Sequence, residues 1–377
     1  MSQGKKLRIL HVGNHTFPCI GGIEKVIWET ATRQAANGHR VEVIVFNTCP
    51  RGTEKLSPLE KNSGITIHRV PSRGPTFYPI PPIRLFLKHT LDKDIIHVHG
   101  YGAWLDIMAW SGNKSRIRGK LVLTTHGGFY HTANRMIPKQ IYEMIILPHT
   151  LRQIDGIIAI SPSDKTFVEN KGGKAHLIPN GVQEDFFQPF KSEKDPRSIL
   201  FVGRLSKNKR VDNLIRAFAH AYQREPRARL HIVGADWEGL MPELKEIAKE
   251  EGVEDFVWFH GKMVDENLLA LYRKSGIFAS ASEYEGFGIS TIEAMASGCI
   301  PVLNKIPPFE NFSASCKEVK LTNFDYPDEA GKLLYDMMNI SSDELKKKRM
   351  RCRDFACGFG WNTIIEKQIH FYRSLII

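Results

Sequence analysis

The segment Gly276–Leu303, GIFASASEYEGFGISTIEAMASGCIPVL, decides the fold of this 377-residue chain. It opens on a short apolar run that ends in polar residues, continues as a helical pattern, and closes on the apolar run CIPVL after Gly298. Short apolar runs on either side of a helix are typical of parallel strands in β-α-β units. The segment therefore predicts one such unit of a parallel sheet.

The same alternation runs along the whole chain. The strand-like runs Leu7–Val12 and Val41–Phe46 enclose the amphipathic stretch Gly22–Asn37, and SILFVGR, ARLHIVG and DFVWFHG repeat the scheme in the second half. The turn-rich segment Ile178–Ser198 separates the two series and marks a domain boundary. The sequence thus predicts an α/β protein with two doubly wound, Rossmann-like domains in tandem. The predicted extents are residues 1–187, 188–356 and, for a closing helix, 357–377.

Composition limits the class of protein. A hydrophobic content of 42% and a charged content of 25% are typical of a globular protein and not of a disordered one. No apolar run reaches about 18 residues, and the N-terminus lacks the apolar core of a signal peptide. The six cysteines are scattered without a Cys-x-x-Cys pair, which predicts reduced thiols, no zinc site and a cytoplasmic location.

The positive charge is concentrated in one half of the chain. Residues 1–190 hold 24 Lys and Arg against 14 Asp and Glu, whereas the remainder holds 28 against 27. A bias confined to one half points to an anionic partner of that half, such as nucleic acid or a membrane surface, although solubility alone also explains it. No recognition helix or aromatic-basic motif is evident, and we therefore expect no nucleic-acid partner.

Ligands of doubly wound sheets bind beyond the carboxyl ends of the strands, which makes the residues after each strand candidates. After the first strand, Gly21 and Gly22 leave backbone N–H groups bare at a helix start, although a plain tight turn explains the pair equally well. His126 follows a later strand, and either a ligand contact or a structural role is open for it. His97 and His99 alternate along a buried strand, which favours a structural role.

Two cations lie where a helix starts in FVGRLSKNKRVDNLI. Arg204 and Lys209 flank a turn at which the helix dipole disfavours positive charge. A diphosphate between them removes the conflict, because the guanidinium fork, the ammonium and the helix N–H groups all donate to phosphate oxygens. The Asp-x-Asp pattern in Leu91–Asp94 precedes a strand instead of following one, so it predicts a solvated helix end and no metal site.

Two acidic residues of Gly276–Leu303 lie close to a helix start whose backbone N–H groups can bind a phosphate. Gly286 and Gly288 bare the N–H groups of a helix start, with Glu285 before the helix and Glu293 in its second turn. A carboxylate beside a phosphate is repelled unless it accepts hydrogen bonds from hydroxyl groups. Vicinal hydroxyls of a ribose and a hexose satisfy both acids at once. The pattern predicts a nucleotide-sugar donor.

Glu285 and Glu293 are spaced as in the E-x7-E motif of the retaining glycosyltransferases of family 4, which have the GT-B fold. The resemblance covers nearly the whole chain, from the Gly-Gly loop and the His-Gly-Gly turn to the aromatic C-terminal helix. More narrowly, THGGFYHTA and EGFGISTIEAMASGCIPVLNKIPPF resemble the mannosyltransferases of xanthan and acetan synthesis. The resemblance implies an acceptor-binding domain and a nucleotide-sugar-binding domain, both Rossmann-like, that face a central cleft. It also implies a last helix that crosses back to the first domain.

The resemblance also implies residue roles. Glu293 binds the donor ribose and Glu285 the transferred hexose, while Arg204 and Lys209 stabilise the departing diphosphate without metal or cofactor. His126 lies near the reacting sugar, so that His126, Arg204, Lys209 and Glu285 are the predicted catalytic residues. The other implied donor-binding positions are Gly21, Gly22, Ser161, Gly261, Lys262, Met263, Gly286, Phe287 and Gly288.

Where many relatives have Lys-Gly, this chain has Lys209 followed by Arg210, which puts the geometry of the next turn in doubt. The implied reaction moves α-mannose from GDP-mannose to an oligosaccharide on polyprenyl diphosphate, in exopolysaccharide synthesis. UDP-glucose or UDP-GlcNAc donors with another acceptor remain alternatives, as does a GT-B nucleotide-sugar epimerase.

A lipid-linked acceptor would place the basic N-terminal half at an anionic membrane surface, with the protein peripheral on the inner face of the cell membrane. The segments Thr76–Thr90 and Ile137–Gln153 mix aromatic, aliphatic and basic residues, as interfacial segments do. Ordinary core-facing helices explain the same pattern.

Overall fold

The computed structural model describes residues 5–19, 21–50, 54–75, 78–110, 113–127, 140–187, 194–263 and 265–376. The chain forms two compact units, Met1–Gly181 with Trp361–Ile377, and Val182–Gly360. The sequence predicted the first boundary after residue 187, whereas the structure has it after residue 181. The last helix was expected from residue 357 and begins at Trp361. The Val182 N–H donates to the Phe359 carbonyl at 2.8 Å, a contact that joins the two ends of the second unit.

The first unit contains an eight-stranded sheet in the order β3-β4-β2-β1-β5-β6-β7-β8. Its strands are parallel except β3, which runs antiparallel to β4 at the edge. The strands are β1 (Arg8–Val12), β2 (Arg40–Phe46), β3 (Leu59–Asn62), β4 (Ile65–Val70), β5 (Ile95–His99), β6 (Lys120–Thr124), β7 (Gly156–Ala159) and β8 (Ala175–Leu177). The described α-helices between them are α1 (Gly22–Ala36), α2 (Ile83–Lys88), α3 (Ala103–Ala109), α4 (Leu147–Leu151) and α5 (Pro162–Asn170).

The second unit contains a six-stranded, all-parallel sheet in the order β11-β10-β9-β12-β13-β14. Its strands are β9 (Asp195–Val202), β10 (Arg229–Val233), β11 (Val257–Gly261), β12 (Ser275–Ser280), β13 (Ile300–Asn304) and β14 (Lys320–Thr322). Its described α-helices are α6 (Val211–Tyr222), α7 (Met241–Glu250), α8 (Asp265–Lys274), α9 (Ile289–Ala296), α10 (Pro307–Ser315), α11 (Pro327–Met338) and α12 (Ser342–Cys357). The prediction of two doubly wound sheets is confirmed.

One strand in the middle of each sheet is buried along its whole length. Every residue of β5 and of β12 is buried, as expected when helices cover both faces of a parallel sheet. This explains why these strands are nearly continuous apolar runs in the sequence. Among the described residues, no helix is long and apolar enough to cross a bilayer.

The last helix, α13 (Trp361–Ile376), packs into the first unit. The Gln34 side-chain amide of α1 donates to Gln368 Oε1 at 3.1 Å. The helix packs closely against the start of β7, where a Cβ on Gly156 would lie 2.7 Å from Leu375 Cδ1. The helix is therefore part of the core that supports the first sheet.

Cys19 and Cys49 form a disulfide, so the prediction of six reduced thiols is wrong for this pair. Cys19 lies in the loop after β1, and Cys49 follows β2. Because β1 and β2 are parallel neighbours, the two loops meet at the same edge of the sheet. Sequence spacing carries no sign of a contact that strand pairing creates. The other cysteines, Cys299, Cys316, Cys352 and Cys357, are free thiols.

Candidate active site

Two loops meet at the carboxyl edge of the second sheet, because β9 and β12 are parallel neighbours. The loop after β9 carries Arg204 and Lys209, and the loop after β12 carries Glu285. The Glu283 N–H donates to the Asn208 carbonyl at 2.9 Å, which ties the second loop to the first. The structure therefore brings together residues that are far apart in the chain but were assigned to one site.

Lys209 and Glu285 are in direct contact. Lys209 Nζ lies 2.5 Å from Glu285 Oε1, and the two side chains are only 13% and 15% exposed. The Ser282 hydroxyl donates to the same carboxylate oxygen at 3.0 Å. An ammonium group has three N–H donors, so Lys209 can keep this carboxylate and still donate to a phosphate oxygen.

Arg204 follows β9 in the same loop as Lys209, and its side chain is exposed. Its guanidinium carbon lies 5.3 Å from the centre of the Trp237 ring, within the range of a cation–π contact. Among the described residues no carboxylate lies within ion-pair distance of Arg204. The side chain is thus held over an aromatic face with its charge available to an anion. Sequence reasoning missed Trp237, although an aromatic residue just past the end of β10 was a visible signal.

Arg210 occupies the left-handed region, with φ +46° and ψ +45°, at the start of α6. Glycine adopts this conformation without steric cost, whereas any other L-residue is strained in it. Here Arg210 forms ion pairs with Glu283 and with Asp325, the latter at 3.3 Å. The turn whose geometry the sequence left in doubt thus holds Arg210 in a left-handed conformation, fixed by these ion pairs.

Glu293 is buried and fixed by a tyrosine. It lies in the second turn of α9, is 7% exposed, and accepts a hydrogen bond from the Tyr272 hydroxyl at 3.1 Å. Burial and the neighbouring carboxylate raise the pKa of Tyr272 well above its usual value, so this hydroxyl stays protonated and donating. Tyr272 comes from α8, a helix that the sequence analysis did not connect with the site.

The Gly-Phe-Gly turn positions the start of α9. Gly288 has φ +92°, and a Cβ on it would lie 2.9 Å from the Phe309 ring. Phe287 is 5% exposed, and its ring packs 5.5 Å from the Phe312 ring, centre to centre. Phe287 thus anchors the turn in the core, and only its backbone is placed to meet a ligand, as is that of Gly286.

Gly261, Lys262 and Met263 are predicted to meet the nucleotide base. Gly261 is the last residue of β11, and Lys262 and Met263 follow it at the same carboxyl edge. Gly261 has φ +63°, and its carbonyl accepts from the Gly234 N–H at 2.8 Å. The strand ends are closely packed here, since a Cβ on Gly234 would lie 1.7 Å from the Gly203 carbonyl oxygen.

In the first unit, the glycines lie at the start of α1 and Ser161 at the start of α5. A Cβ on Gly21 would meet the Glu24 carboxylate, and one on Gly22 would meet nothing within 4 Å. The Ser161 hydroxyl accepts from the Asp164 N–H at 3.2 Å, which makes it a helix cap. Donor contacts of these three residues stay predictions.

His126 lies past the end of β6 with φ +57°, a conformation uncommon for residues other than glycine. Its ring is buried against His99, with 3.0 Å between His126 Nε2 and His99 Nδ1. Burial lowers the pKa of His126 to about 3, so the imidazole is neutral at neutral pH. It can therefore exchange hydrogen bonds with a ligand but cannot supply a positive charge.

Two clusters of described residues have the ligand atoms of a metal site. The first is His11, His97 and His99, and the second is Glu42, His68 and His89. In the first, every ring nitrogen already faces a hydrogen-bond partner. In the second, the buried Lys93 ammonium lies 2.5 Å from the carboxylate. A cation at that carboxylate opposes a second one, so we assign a metal to neither.

A cavity of about 1020 Å³ opens elsewhere in the second unit, beside the amino end of β9. Lys194, Asp195 and Arg349 are among its lining residues. In doubly wound sheets ligands bind at the carboxyl ends of strands, so its size does not make it the active site.

Two family descriptions match the two units. Residues 182–351 match Glycosyl transferases group 1, and residues 20–186 match Glycosyltransferase Family 4. The GDP-mannose:cellobiosyl-diphosphopolyprenol alpha-mannosyltransferase of Xanthomonas oryzae pv. oryzae is 28% identical over 377 residues, 98% of this chain and 97% of the relative. The enzyme of the same name from Komagataeibacter xylinus is 27% identical over 372 residues, 98% of this chain and 94% of the relative.

Solved structures share the fold. Anabaena Alr3699/HepE in complex with UDP superposes with a TM-score of 0.78 at 18% identity, over 98% of this chain and 100% of that one. Sucrose-phosphate synthase from Thermosynechococcus elongatus gives a TM-score of 0.74 at 19% identity, over 98% and 99%. These matches confirm the predicted fold class. This chain belongs to the glycosyltransferases of family 4, and its two parallel-sheet units have the GT-B fold.

Proposed function

We propose that this glycosyltransferase moves an α-mannosyl group from GDP-mannose to an oligosaccharide carried on polyprenyl diphosphate. The observation that carries the proposal is the end-to-end match to three GDP-mannose:cellobiosyl-diphosphopolyprenol alpha-mannosyltransferases, at 27–28% identity over 98% of this chain. Because the match spans both units, it includes the residues that the proposal assigns to the acceptor as well as those that it assigns to the donor.

The contacts of the second unit support a division of labour in the proposed reaction. Glu293, oriented by Tyr272, accepts hydrogen bonds from the ribose hydroxyls. Glu285 accepts from the transferred hexose, and its partner Lys209 donates to the diphosphate together with Arg204. Negative charge grows on the diphosphate as the glycosidic bond breaks, and preorganised cations stabilise it by about 3 kcal/mol or more.

A donor screen tests this proposal. GDP-mannose, UDP-glucose and UDP-GlcNAc are each incubated with the protein, a lipid-linked cellobiose and a chelator. We expect mannosyl transfer from GDP-mannose and little donor consumption without the acceptor. If only UDP-glucose or UDP-GlcNAc gave transfer, the donor in the proposal would be that nucleotide sugar and not GDP-mannose. Conversion of a donor to its epimer or free sugar without acceptor would favour the epimerase alternative.

Membrane contact through the first unit is the second part of the proposal. The two segments named for it are described from residues 78 and 140 onward; their earlier residues, including Thr76 and Ile137, lie outside the described residues. The segments meet, because the Tyr78 and Tyr142 hydroxyls both donate to Asp106 Oδ2, at 2.7 and 3.0 Å.

Large apolar side chains of both segments face solvent. Met144 is 74% exposed, Ile145 68% and Ile83 42%. Together with the excess of basic residues in this half, the exposed side chains fit an anionic bilayer surface. Co-sedimentation with vesicles containing anionic lipid at moderate salt tests it, and a protein that stays in the supernatant would contradict direct attachment.

A further inference from the structure

A row of buried polar side chains runs behind His126 in the first unit. We call Gln34, His11, His99 and His126 the histidine row. His11 lies on β1, His99 on β5, and His126 after β6, so three adjacent parallel strands bring the rings together at one edge of the sheet. His11 is 0% exposed, His99 7% and His126 6%.

Each member of the histidine row contacts the next through one hydrogen bond. His126 Nε2 lies 3.0 Å from His99 Nδ1, and His99 Nε2 lies 2.9 Å from His11 Nδ1. His11 Nε2 lies 2.9 Å from Gln34 Oε1. A neutral imidazole has one N–H donor and one acceptor nitrogen, so the direction of any one bond dictates the direction of all the others.

Gln34 sets that direction. Its amide nitrogen faces two oxygen acceptors, Gln368 Oε1 at 3.1 Å and the Tyr372 hydroxyl at 3.4 Å, both on α13. The two N–H groups of the amide are thereby used, and its oxygen is left to accept from His11. His11 must then carry its proton on Nε2 and accept through Nδ1.

The rings are neutral, which the argument requires. Burial lowers the pKa of His11 to about 4 and that of His126 to about 3. Burial and neighbouring imidazoles also lower the pKa of His99 well below its usual value. At neutral pH each ring therefore exists as one of two tautomers and not as an imidazolium.

The geometry points to Gln34, His11 and His99 as positioning residues that lock His126 in the Nε2–H tautomer. Among the described residues no hydrogen bond reaches His126 Nδ1. With Nε2 donating to His99, Nδ1 presents a lone pair, which accepts a hydrogen bond from a hydroxyl group of the substrate. The opposite tautomer would present an N–H and donate instead. This inference rests on the proposed function only for the identity of that hydroxyl, a sugar hydroxyl.

The tautomer is measured without substrate or activity. Protein labelled with ¹⁵N-histidine is examined by long-range ¹H–¹⁵N correlation, and the His126 ring is assigned by its loss in His126→Gln. We expect Nε2 to show the shift of a protonated nitrogen and Nδ1 that of an unprotonated one. A wild-type His126 protonated on Nδ1 would overturn the inference, whether or not the protein transfers mannose.

Variants of Gln34 test the positioning role. Gln34→Met removes both amide groups, so His126 should populate both tautomers and kcat should fall roughly tenfold, the scale on which orienting partners of histidines act. The donor KM should change less than about twofold. Gln34→Glu keeps the acceptor for His11, and its His126 should stay protonated on Nε2.

Thr124→Val is the matched control, because it removes a buried hydrogen bond to His97 in the same cluster but outside the histidine row. It should leave the His126 tautomer unchanged. An unchanged tautomer in Gln34→Met would overturn the role of Gln34, as would a changed tautomer with unchanged kcat. A protein that shows the Nε2–H tautomer but no sugar transfer would contradict the proposed function and not the inference.

Discussion

Replacing Lys209 by methionine keeps the length of the side chain and removes its charge. Lys209 Nζ lies 2.5 Å from Glu285 Oε1, with side chains 13% and 15% exposed, so the cation is already fixed and partly dehydrated. Two charges this close attract by several kcal/mol at an effective dielectric constant of about 20. A cation held in place stabilises a departing diphosphate without reorganisation. We therefore expect Lys209→Met to lower kcat about 10²–10³-fold, equivalent to about 3–4 kcal/mol.

The same change affects folding, and a second variant separates the two effects. Lys209→Met removes the cation that neutralises the Glu285 carboxylate, which keeps the hydrogen bond from the Ser282 hydroxyl. The free energy of unfolding should therefore fall by about 1–3 kcal/mol. Lys209→Met combined with Glu285→Gln removes the stranded charge. The double variant should recover most of the stability but none of the activity.

The assay is steady-state kinetics with GDP-mannose and the lipid-linked acceptor, together with urea unfolding. Lys207→Met is the matched control, since Lys207 is an exposed lysine of the same turn. It should leave kcat and KM near the wild-type values. If Lys209→Met raised KM and left kcat unchanged, the ammonium would bind the ground state alone, and its assigned role in bond breaking would be refuted.

Four further predictions test other parts of the molecule. Arg210→Gly should leave the free energy of unfolding nearly unchanged, because glycine relieves a left-handed conformation that costs about 1 kcal/mol and so offsets the lost ion pairs. Arg210→Ala loses the ion pairs without that relief, and its free energy of unfolding, measured in urea, should be about 1 kcal/mol lower. Met144→Glu should weaken binding to anionic vesicles roughly tenfold, and Met350→Glu, which alters a 53% exposed methionine of the second unit, should not. Thiol titration in denaturant without reductant should detect the four free cysteines, and six reactive thiols would contradict the disulfide. Calorimetry should show lower stability as the pH falls below 6.5, because the pKa values of His11 and His126 are lowered to about 4 and about 3 in the folded protein and the unfolded chain therefore binds more protons. Each histidine should lower the free energy of unfolding by about 1 kcal/mol by about pH 5.5. A flat pH profile would contradict their burial as neutral rings.

The fold was predictable because it depends on local patterns. The amphipathic stretch Gly22–Asn37 forms α1, Gly22–Ala36, and the unit expected in Gly276–Leu303 is β12, α9 and β13. Apolar periodicity specifies such elements, and the preference for short parallel crossovers then specifies the sheet. The boundary after residue 181 was missed because contacts such as that between Val182 and Phe359 join segments far apart in the sequence, and no local pattern indicates them.

The sequence was sufficient to name the charged residues of the candidate site, but not to predict which side chains contact one another. The sequence indicated that Arg204, Lys209 and Glu285 share a ligand, since each follows a strand at one edge of a sheet. It did not indicate that Lys209 touches Glu285 or that Tyr272 orients Glu293, because both contacts depend on side-chain directions across separate elements.

The buried histidines of the first unit show the same limit. His97 and His99 were expected to be structural, and both are buried. Their partners, however, lie far away in the sequence: His99 contacts His11 of β1 and His126 after β6, and His97 contacts Tyr372 of the last helix. No local pattern reveals these contacts. The Cys19–Cys49 disulfide was missed for the same reason.

The product of the reaction tests the central claim most directly. The protein is incubated with GDP-mannose and cellobiosyl-diphosphopolyprenol, and the lipid-linked product is analysed by mass spectrometry and by NMR of its new anomeric bond. We predict the addition of one hexose in α configuration, the configuration it has in the donor. A product with the inverted anomer, or an acceptor that gains no sugar from any nucleotide-sugar donor, would contradict the account.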